Sequence, residues 1–232
     1  MENLEKKETI LKKAVVILSG GMDSVTTLYK AIADKYEVYA ISFDYGQKHK
    51  KELTFAKKVC EINNIKHEIV DLTNITSLIS NSALTSKDIE VPEGHYAQEN
   101  MKATVVPNRN MIMSSIAIGY AVNIGAEAIY LGVHSGDHFI YPDCRPQFVQ
   151  ALNLCAYLGN EGFCEKSFRI VTPFMYKTKA DIALEGHYMN VPYDFTWSCY
   201  KGGEKHCGKC GTCVERKEAF QLAGVEDPTD YE

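Results

Sequence analysis

The sequence predicts an α/β protein: a doubly wound parallel sheet of five strands, with a small four-cysteine segment following it. Three observations carry that prediction. Short apolar runs rich in β-branched residues recur at 15–18, 37–43, 66–72, 127–133 and 168–173 and read as strands. Stretches with helical spacing or helix-start residues separate them, and such alternation specifies parallel strands joined by right-handed crossovers. Beyond the last run, Cys199, Cys207, Cys210 and Cys213 crowd into one glycine-rich stretch. The alternating pattern covers 13–190, the cysteine segment 191–232 is expected to pack on the same domain, and the charged stretch 1–12 reads as a flexible lead-in.

Composition narrows the function classes. A chain of 232 residues, 45% hydrophobic and 24% charged, can bury one sizeable core. Its 25 basic and 30 acidic residues leave a net charge of −5, which argues against bulk attraction to nucleic acid. No apolar run suits a membrane span and the polar start lacks a secretory pattern, so a cytoplasmic location is expected. Disulfides are rare there, so the eight cysteines ask for another explanation.

The first strand, Val15-Val16-Ile17-Leu18, runs into Ser19-Gly20-Gly21-Met22-Asp23-Ser24. Glycines permit positive φ and close approach of backbone to a ligand. Asp23 suits a helix N-cap, with Val25-Thr26-Thr27-Leu28 continuing the first turn. Strand, glycine turn and helix start together make an anion site, where free N–H groups and the helix dipole favour a phosphate. A Walker loop would need Lys-Ser/Thr after its last glycine, and a dinucleotide fingerprint would need G-x-G-x-x-G; neither is present. The plain alternative is an ordinary strand–turn–helix.

The second strand leads to Asp44-Tyr45-Gly46-Gln47. Ligands of parallel sheets sit beyond the carboxyl ends of the strands, which places Tyr45 and Gln47 beside the phosphate loop and lets a base pack near Phe43 and Tyr45. A solvated loop is the alternative. The spacing of Leu53, Ala56, Val59, Cys60 and Ile62 predicts a helix over 49–63. Residues 73–106 lack periodicity and read as a substrate lid. Pro107-Asn108-Arg109-Asn110 leads into a helix over 111–123. A cation at a helix start opposes the dipole, so Arg109 either faces a bound anion or is a plain surface residue.

The fourth strand enters the densest polar stretch of the chain, which holds His134, Asp137, His138, Asp143 and Arg145. A carboxylate can pair with the N–H donors of a guanine-like edge, and an arginine fork suits a carboxylate or phosphate; a His/Asp metal site is the rival reading. Pro146 opens the next helix. After the fifth strand, Thr178 and Lys179 start another, and Lys179 in a first turn makes sense if it faces polyphosphate. The spacing C-x7-C-x2-C-x2-C matches a closed, tetrahedral, structural zinc site, with an Fe–S cluster or a persulfide relay as competitors. Cys60 and Cys155 fall at apolar helix positions and read as buried, whereas Cys144 sits in the polar loop.

Leu18 to Ser24, Tyr45-Gly46-Gln47, Pro107 to Asn110, Gly132 to Arg145 with Tyr141-Pro142-Asp143-Cys144-Arg145, and the terminal cysteines together resemble the 7-cyano-7-deazaguanine synthase (QueC) family of queuosine biosynthesis. The phosphate loop alone is shared by all ATP pyrophosphatases; the combination is specific. Two departures are Asn108, where many relatives have glycine, and Met22, where many have glutamine.

The resemblance implies a Rossmann-like, adenine nucleotide alpha hydrolase-like fold and an adenylate-forming C–N ligase. Its expected reaction turns 7-carboxy-7-deazaguanine and ammonia into the nitrile through an adenylylated acid and an amide, with ATP and Mg²⁺, releasing AMP and pyrophosphate. It assigns ATP to Leu18, Ser19, Gly20, Gly21, Met22, Asp23, Ser24, Val25, Thr26, Thr27, Leu28, Phe43, Tyr45 and Gln47. Asp23 would also bind Mg²⁺, Lys179 and Arg109 would stabilise charge on the α-phosphate, and Asp137, Asp143 and Arg145 would serve the base-reading part of the site. It further implies one structural Zn²⁺ per chain, a homodimer, small-molecule substrates, and no direct nucleic-acid or membrane partner. Alternatives are a paralogue that stops at the amide or joins the acid to another amine, a tRNA-modifying relative of the same loop class, and a zinc-bearing nucleotide sensor.

Overall fold

The computed structural model describes residues 11–48, 50–79, 82–86, 88–94 and 101–232. The expected lead-in falls almost wholly outside these, as do several positions of the expected lid. Strands β1 (Lys13–Ile17), β2 (Glu37–Asp44), β3 (Lys66–Asp71), β4 (Ala128–Tyr130) and β5 (Arg169–Val171) form one parallel sheet in the order β3-β2-β1-β4-β5, as the alternating pattern predicts. The helices are α1 (Met22–Ala33), α2 (Lys51–Ile62), α3 (Arg109–Asn123), α4 (Pro146–Gly159), α5 (Lys179–Tyr188) and α6 (Gly211–Ala223).

Strand side chains alternate between two cores, because successive Cβ atoms point to opposite faces. Ala14, Val16, Ala40, Ala128 and Tyr130 meet Val25 and Leu28 of α1, Ala56 and Val59 of α2, Ala183 of α5 and Phe220 of α6. Val15, Ile41, Phe43 and Ile129 meet Ala117 and Ala121 of α3 and Leu152 and Ala156 of α4. Fully burying side chains such as Val16 and Leu28 contributes roughly 1.5–3 kcal/mol each. The chain leaves β1 between β2 and β4, where the strand order reverses and a crevice opens.

Local details differ from the sequence reading in instructive ways. Gly21, not Asp23, is the N-cap of α1, and no side chain caps that helix; Asp23 lies in the first turn, so its carboxylate is free for another task. β4 is shorter than expected because residues 131–133 leave the ladder and line the crevice. Asn108 adopts the left-handed conformation, φ 58°, ahead of α3. Asparagine tolerates that region better than most other non-glycine residues. Cys60 is buried as expected, but Cys155 is exposed: it lies on the solvent side of α4, away from Leu152 and Ala156.

The C-terminal segment packs into the main core through more than its cysteines. Arg216 of α6 is fully buried. Its Nε donates to Asp227 Oδ1 at 3.1 Å, Nη1 to Thr196 Oγ1 at 2.6 Å and Nη2 to the Tyr193 carbonyl at 3.1 Å. Phe220 meets Tyr193 edge-on, with ring centres 4.9 Å apart. The described parts of 73–106 are anchored too: Ile79, Ala83, Leu84 and Met101 are buried, and Gly94 N donates to the Lys209 carbonyl at 3.0 Å. No described helix is long and apolar enough to cross a membrane.

Candidate active site and metal centre

A cavity of about 250 Å³ opens beyond β1, β2 and β4. Its floor is the loop after β1. Ser24 Oγ accepts from Ser19 N and Gly20 N, each at 3.2 Å, and donates to the Gly21 carbonyl at 3.0 Å, while Ser19 Oγ accepts from Gly21 N at 3.3 Å. The two hydroxyls hold the loop's N–H groups in place. Gly20 has φ +93°, and a Cβ there would stand 2.1 Å from the Glu52 carbonyl oxygen, so only glycine lets the loop lie on α2. The first-turn N–H groups of α1 and the positive end of its dipole face the same space.

One wall is charged. Lys179 Nζ lies 2.6 Å from Glu215 Oε2 and 3.3 Å from Asp23 Oδ2. Burial disfavours the ammonium, but Asp23, Glu215 and Asp137 outweigh it and raise the Lys179 pKa. Burial raises the Glu215 carboxyl, and Lys179 offsets only part of that. His134 is buried; its Nδ1 accepts from Gly136 N at 3.1 Å, so in the neutral ring Nε2 carries the hydrogen. That nitrogen faces Asp137 Oδ2 at 3.5 Å and Asp23 Oδ2 at 3.8 Å. Asp23 Oδ1 is buried with no hydrogen-bond partner among the described residues. An acceptor left bare in such a place fits a cation ligand.

The facing wall is aromatic and cationic. Arg109, at the start of α3, points its Nη1 at Tyr45 Oη, 3.4 Å away. Glu52 of α2 lines the same space, and burial pushes its carboxyl up to about 7, against the pull of Arg109 and a bond from Gln47. Asp143 Oδ2 accepts from Asn110 N at 3.2 Å. Trp197, Ser198, Tyr200 and Thr212 close the remaining side.

The four cysteines converge as their spacing predicts. Their sulfurs are buried and all lie within 4.8 Å of one another, near the roughly 3.8 Å edge of a tetrahedron with 2.3 Å metal–sulfur bonds. Backbone N–H groups aim at the sulfurs: Lys201 N at Cys199 Sγ, 3.4 Å, and Lys209 N and Cys210 N at Cys207 Sγ, 3.4 and 3.3 Å. These donors stabilise thiolate charge, so the cluster can hold a metal ion. The knot is fastened to the phosphate loop, since Trp197 N donates to the Gly20 carbonyl at 2.9 Å and Thr212 Oγ1 to the Ser198 carbonyl at 2.7 Å.

Leu18, Ser19, Gly21, Met22, Asp23, Ser24, Phe43, Tyr45, Arg109, Asp137, Asp143 and Lys179 all reach the cavity. Other expected site residues do not line it. Val25 and Leu28 belong to the core. Thr26 Oγ1 bonds to the Met22 carbonyl and Thr27 Oγ1 to the Asp23 carbonyl, further up α1. Gly20 serves through its backbone. Gln47 turns inward: its Oε1 accepts from Tyr45 N at 2.9 Å, and its Nε2 donates to Phe43 O and Glu52 Oε1, both at 3.3 Å. Arg145 turns away, with Nε donating to the His138 carbonyl at 2.8 Å. Sequence reasoning missed Glu52 and Glu215. Each sits among charged helix neighbours that look like a solvated face, and only the fold shows them turned inward.

A parallel sheet whose central strand opens, at the switch point, into a Ser-Gly-Gly-Met-Asp-Ser phosphate loop defines a PP-loop protein. The same fold occurs in the NMN synthetase from Francisella tularensis, with TM-score 0.50 and 15% identity over 94% of this chain and 79% of that one, a likeness of fold alone. Family is shown by sequence: the model of the queuosine biosynthesis protein QueC matches residues 13–224, and this chain belongs to that family. Relatives named 7-cyano-7-deazaguanine synthase include one from Pseudoalteromonas atlantica, 52% identical over 96% of this chain and 100% of that protein. Another, from a Marinomonas species, is 55% identical over 95% and 99%.

Proposed function

We propose that this chain makes 7-cyano-7-deazaguanine from 7-carboxy-7-deazaguanine and ammonia, by two successive ATP-dependent activations that each release AMP and pyrophosphate. The observation that carries this reading is the convergence, at one strand-end cavity, of the phosphate loop, Lys179 and Arg109, together with the relatives' name. The first-turn N–H groups of α1 and its dipole hold the departing pyrophosphate. Lys179 and Arg109, on opposite walls, stabilise the charge that grows at the α-phosphate. Asp23, with its bare Oδ1, would hold Mg²⁺, which supplies charge neutralisation along the polyphosphate. Asp137 and Asp143 offer acceptors to the N–H groups of the base, and Phe43 and Tyr45 offer apolar faces. The four cysteines hold one Zn²⁺ in a closed, structural site. The active unit is a homodimer in the cytoplasm that engages small molecules and does not bind nucleic acid directly.

The test is direct. Purified protein with ATP, Mg²⁺, ammonium and the acid should yield AMP, pyrophosphate and the nitrile by mass spectrometry. ADP as the nucleotide product, or no turnover, would overturn the reading. An amide that accumulates without nitrile would identify a single-activation enzyme.

A further inference from the structure

Resting on that reading, one requirement of the chemistry has no residue assigned to it. Ammonium is the dominant species at neutral pH, but only its conjugate base has a lone pair, so the amide-forming step needs a proton acceptor in the cavity. Most carboxylates of the cavity are engaged. Asp23 lies 3.3 Å from the Lys179 ammonium, Asp137 is 3.5 Å from His134 Nε2, and Asp143 accepts from Asn110 N at 3.2 Å. Like Asp143, Glu52 makes no ion pair among the described residues and accepts a hydrogen bond from an amide, Gln47 Nε2 to Oε1 at 3.3 Å; what sets it apart is its place on the helix packed against the phosphate loop. Its backbone is pressed against the phosphate loop at Gly20 and its side chain lines the same cavity as that loop.

We propose that Glu52 binds the ammonium ion and takes a proton from it, delivering ammonia to the acyl-adenylate. One N–H bond breaks and its proton goes to the Glu52 carboxylate. The nitrogen lone pair attacks the acyl carbon and forms the C–N bond. The C–O bond to AMP breaks, its electron pair leaves on the phosphate oxygen, and the second nitrogen proton passes to water. Arg109 and Tyr45 are the charged and titratable groups that face Glu52 from α3 and the β2 loop. Arg109 keeps part of the carboxyl population ionised against the effect of burial. The resulting carboxyl, near 7, sits where a general base is most effective at neutral pH.

Glu52→Gln keeps the acceptor for Gln47 and removes only the base. Two nucleophiles separate its roles: ammonium, which must lose a proton, and hydroxylamine, which is already neutral at pH 7. In Glu52→Gln, ammonium-dependent AMP release should fall ~100-fold or more, while hydroxamate formation stays near the wild-type rate. Normal ammonium kinetics, or equal loss with both nucleophiles, would overturn the proposal. A wild-type enzyme that forms neither hydroxamate nor AMP would instead refute the ligase reading. Should the variant not fold, the wild-type pH profile decides. With Glu52 as base, kcat/KM for total ammonium levels off above about pH 7; a continued rise of about tenfold per pH unit toward the ammonium pKa means that free ammonia enters unaided.

Discussion

Lys179 stands in two sets of interactions at once, and Lys179→Met separates them. As a donor to developing phosphate charge, its loss should lower kcat by ~100-fold or more. As the partner of Glu215 at 2.6 Å and Asp23 at 3.3 Å, its loss should also destabilise the fold. Breaking a fully buried pair costs about 3–5 kcal/mol. Here the Lys179 and Glu215 side chains each keep 14% exposure, and Glu215 can escape by taking up a proton, so about 1–3 kcal/mol is expected. The pH dependence identifies the cause. Burial raises the Glu215 carboxyl and Lys179 restrains it; without Lys179 it rises further. A raised acid binds its proton more tightly when folded, so stability is fully present below its unfolded pKa and is lost as pH rises through the folded one. Urea melts should therefore show a gap between Lys179→Met and wild type that widens as pH rises above the ordinary glutamate range. Adding Glu215→Gln should restore most of the stability and none of the activity. If the double variant recovered turnover, Lys179 would be a structural partner only, and its assigned place in catalysis would fall.

The other predictions are simpler. Asp23→Ala should abolish AMP formation and lower the melting temperature only modestly, because Oδ1 has no hydrogen-bond partner to lose and Lys179, 3.3 Å from Oδ2, keeps Glu215; turnover at the wild-type rate would remove the cation assignment. Elemental analysis should find one zinc per chain and no iron. Cys210→Ser should lose the metal, and Cys155→Ser, at an exposed position, should keep it; a metal-free wild type of ordinary stability would sink the zinc reading. Arg216→Leu should cost about 3–5 kcal/mol, read from denaturation, because Asp227 and the Tyr193 carbonyl lose their buried donor.

The sheet was legible because β1, β2 and β4 are apolar runs with few rivals, and parallel order follows from alternation with helices. The phosphate loop, Lys179 and the cysteine set were legible for a related reason: glycine pairs, a cation at a helix start and close thiols each contradict ordinary local preference, so they stand out. What was missed obeys local preference. Lys50-Lys51-Glu52 and Glu215-Arg216-Lys217 look like solvated helix faces, yet Arg216 is fully buried and Glu52 lines the cavity. For the same reason α6 gave no apolar stripe to read. Gln47 and Arg145 show the converse: neither lines the cavity. They follow strand ends as ligand-binding residues do, but a turn can aim a side chain at its own backbone as readily as at a ligand.

The bond from Trp197 to Gly20, and that from Lys179 to Glu215, also govern when the site comes into being. A ribosome has made the first strand and its glycine loop within the first few dozen residues, but the last side of the cavity comes from Trp197, Ser198, Tyr200 and Thr212. During synthesis the early loop must wait beside an unfinished pocket, and contacts so distant in sequence close slowly. Closure of the four-cysteine cluster is thus among the last events of folding, and the cavity is not complete before it.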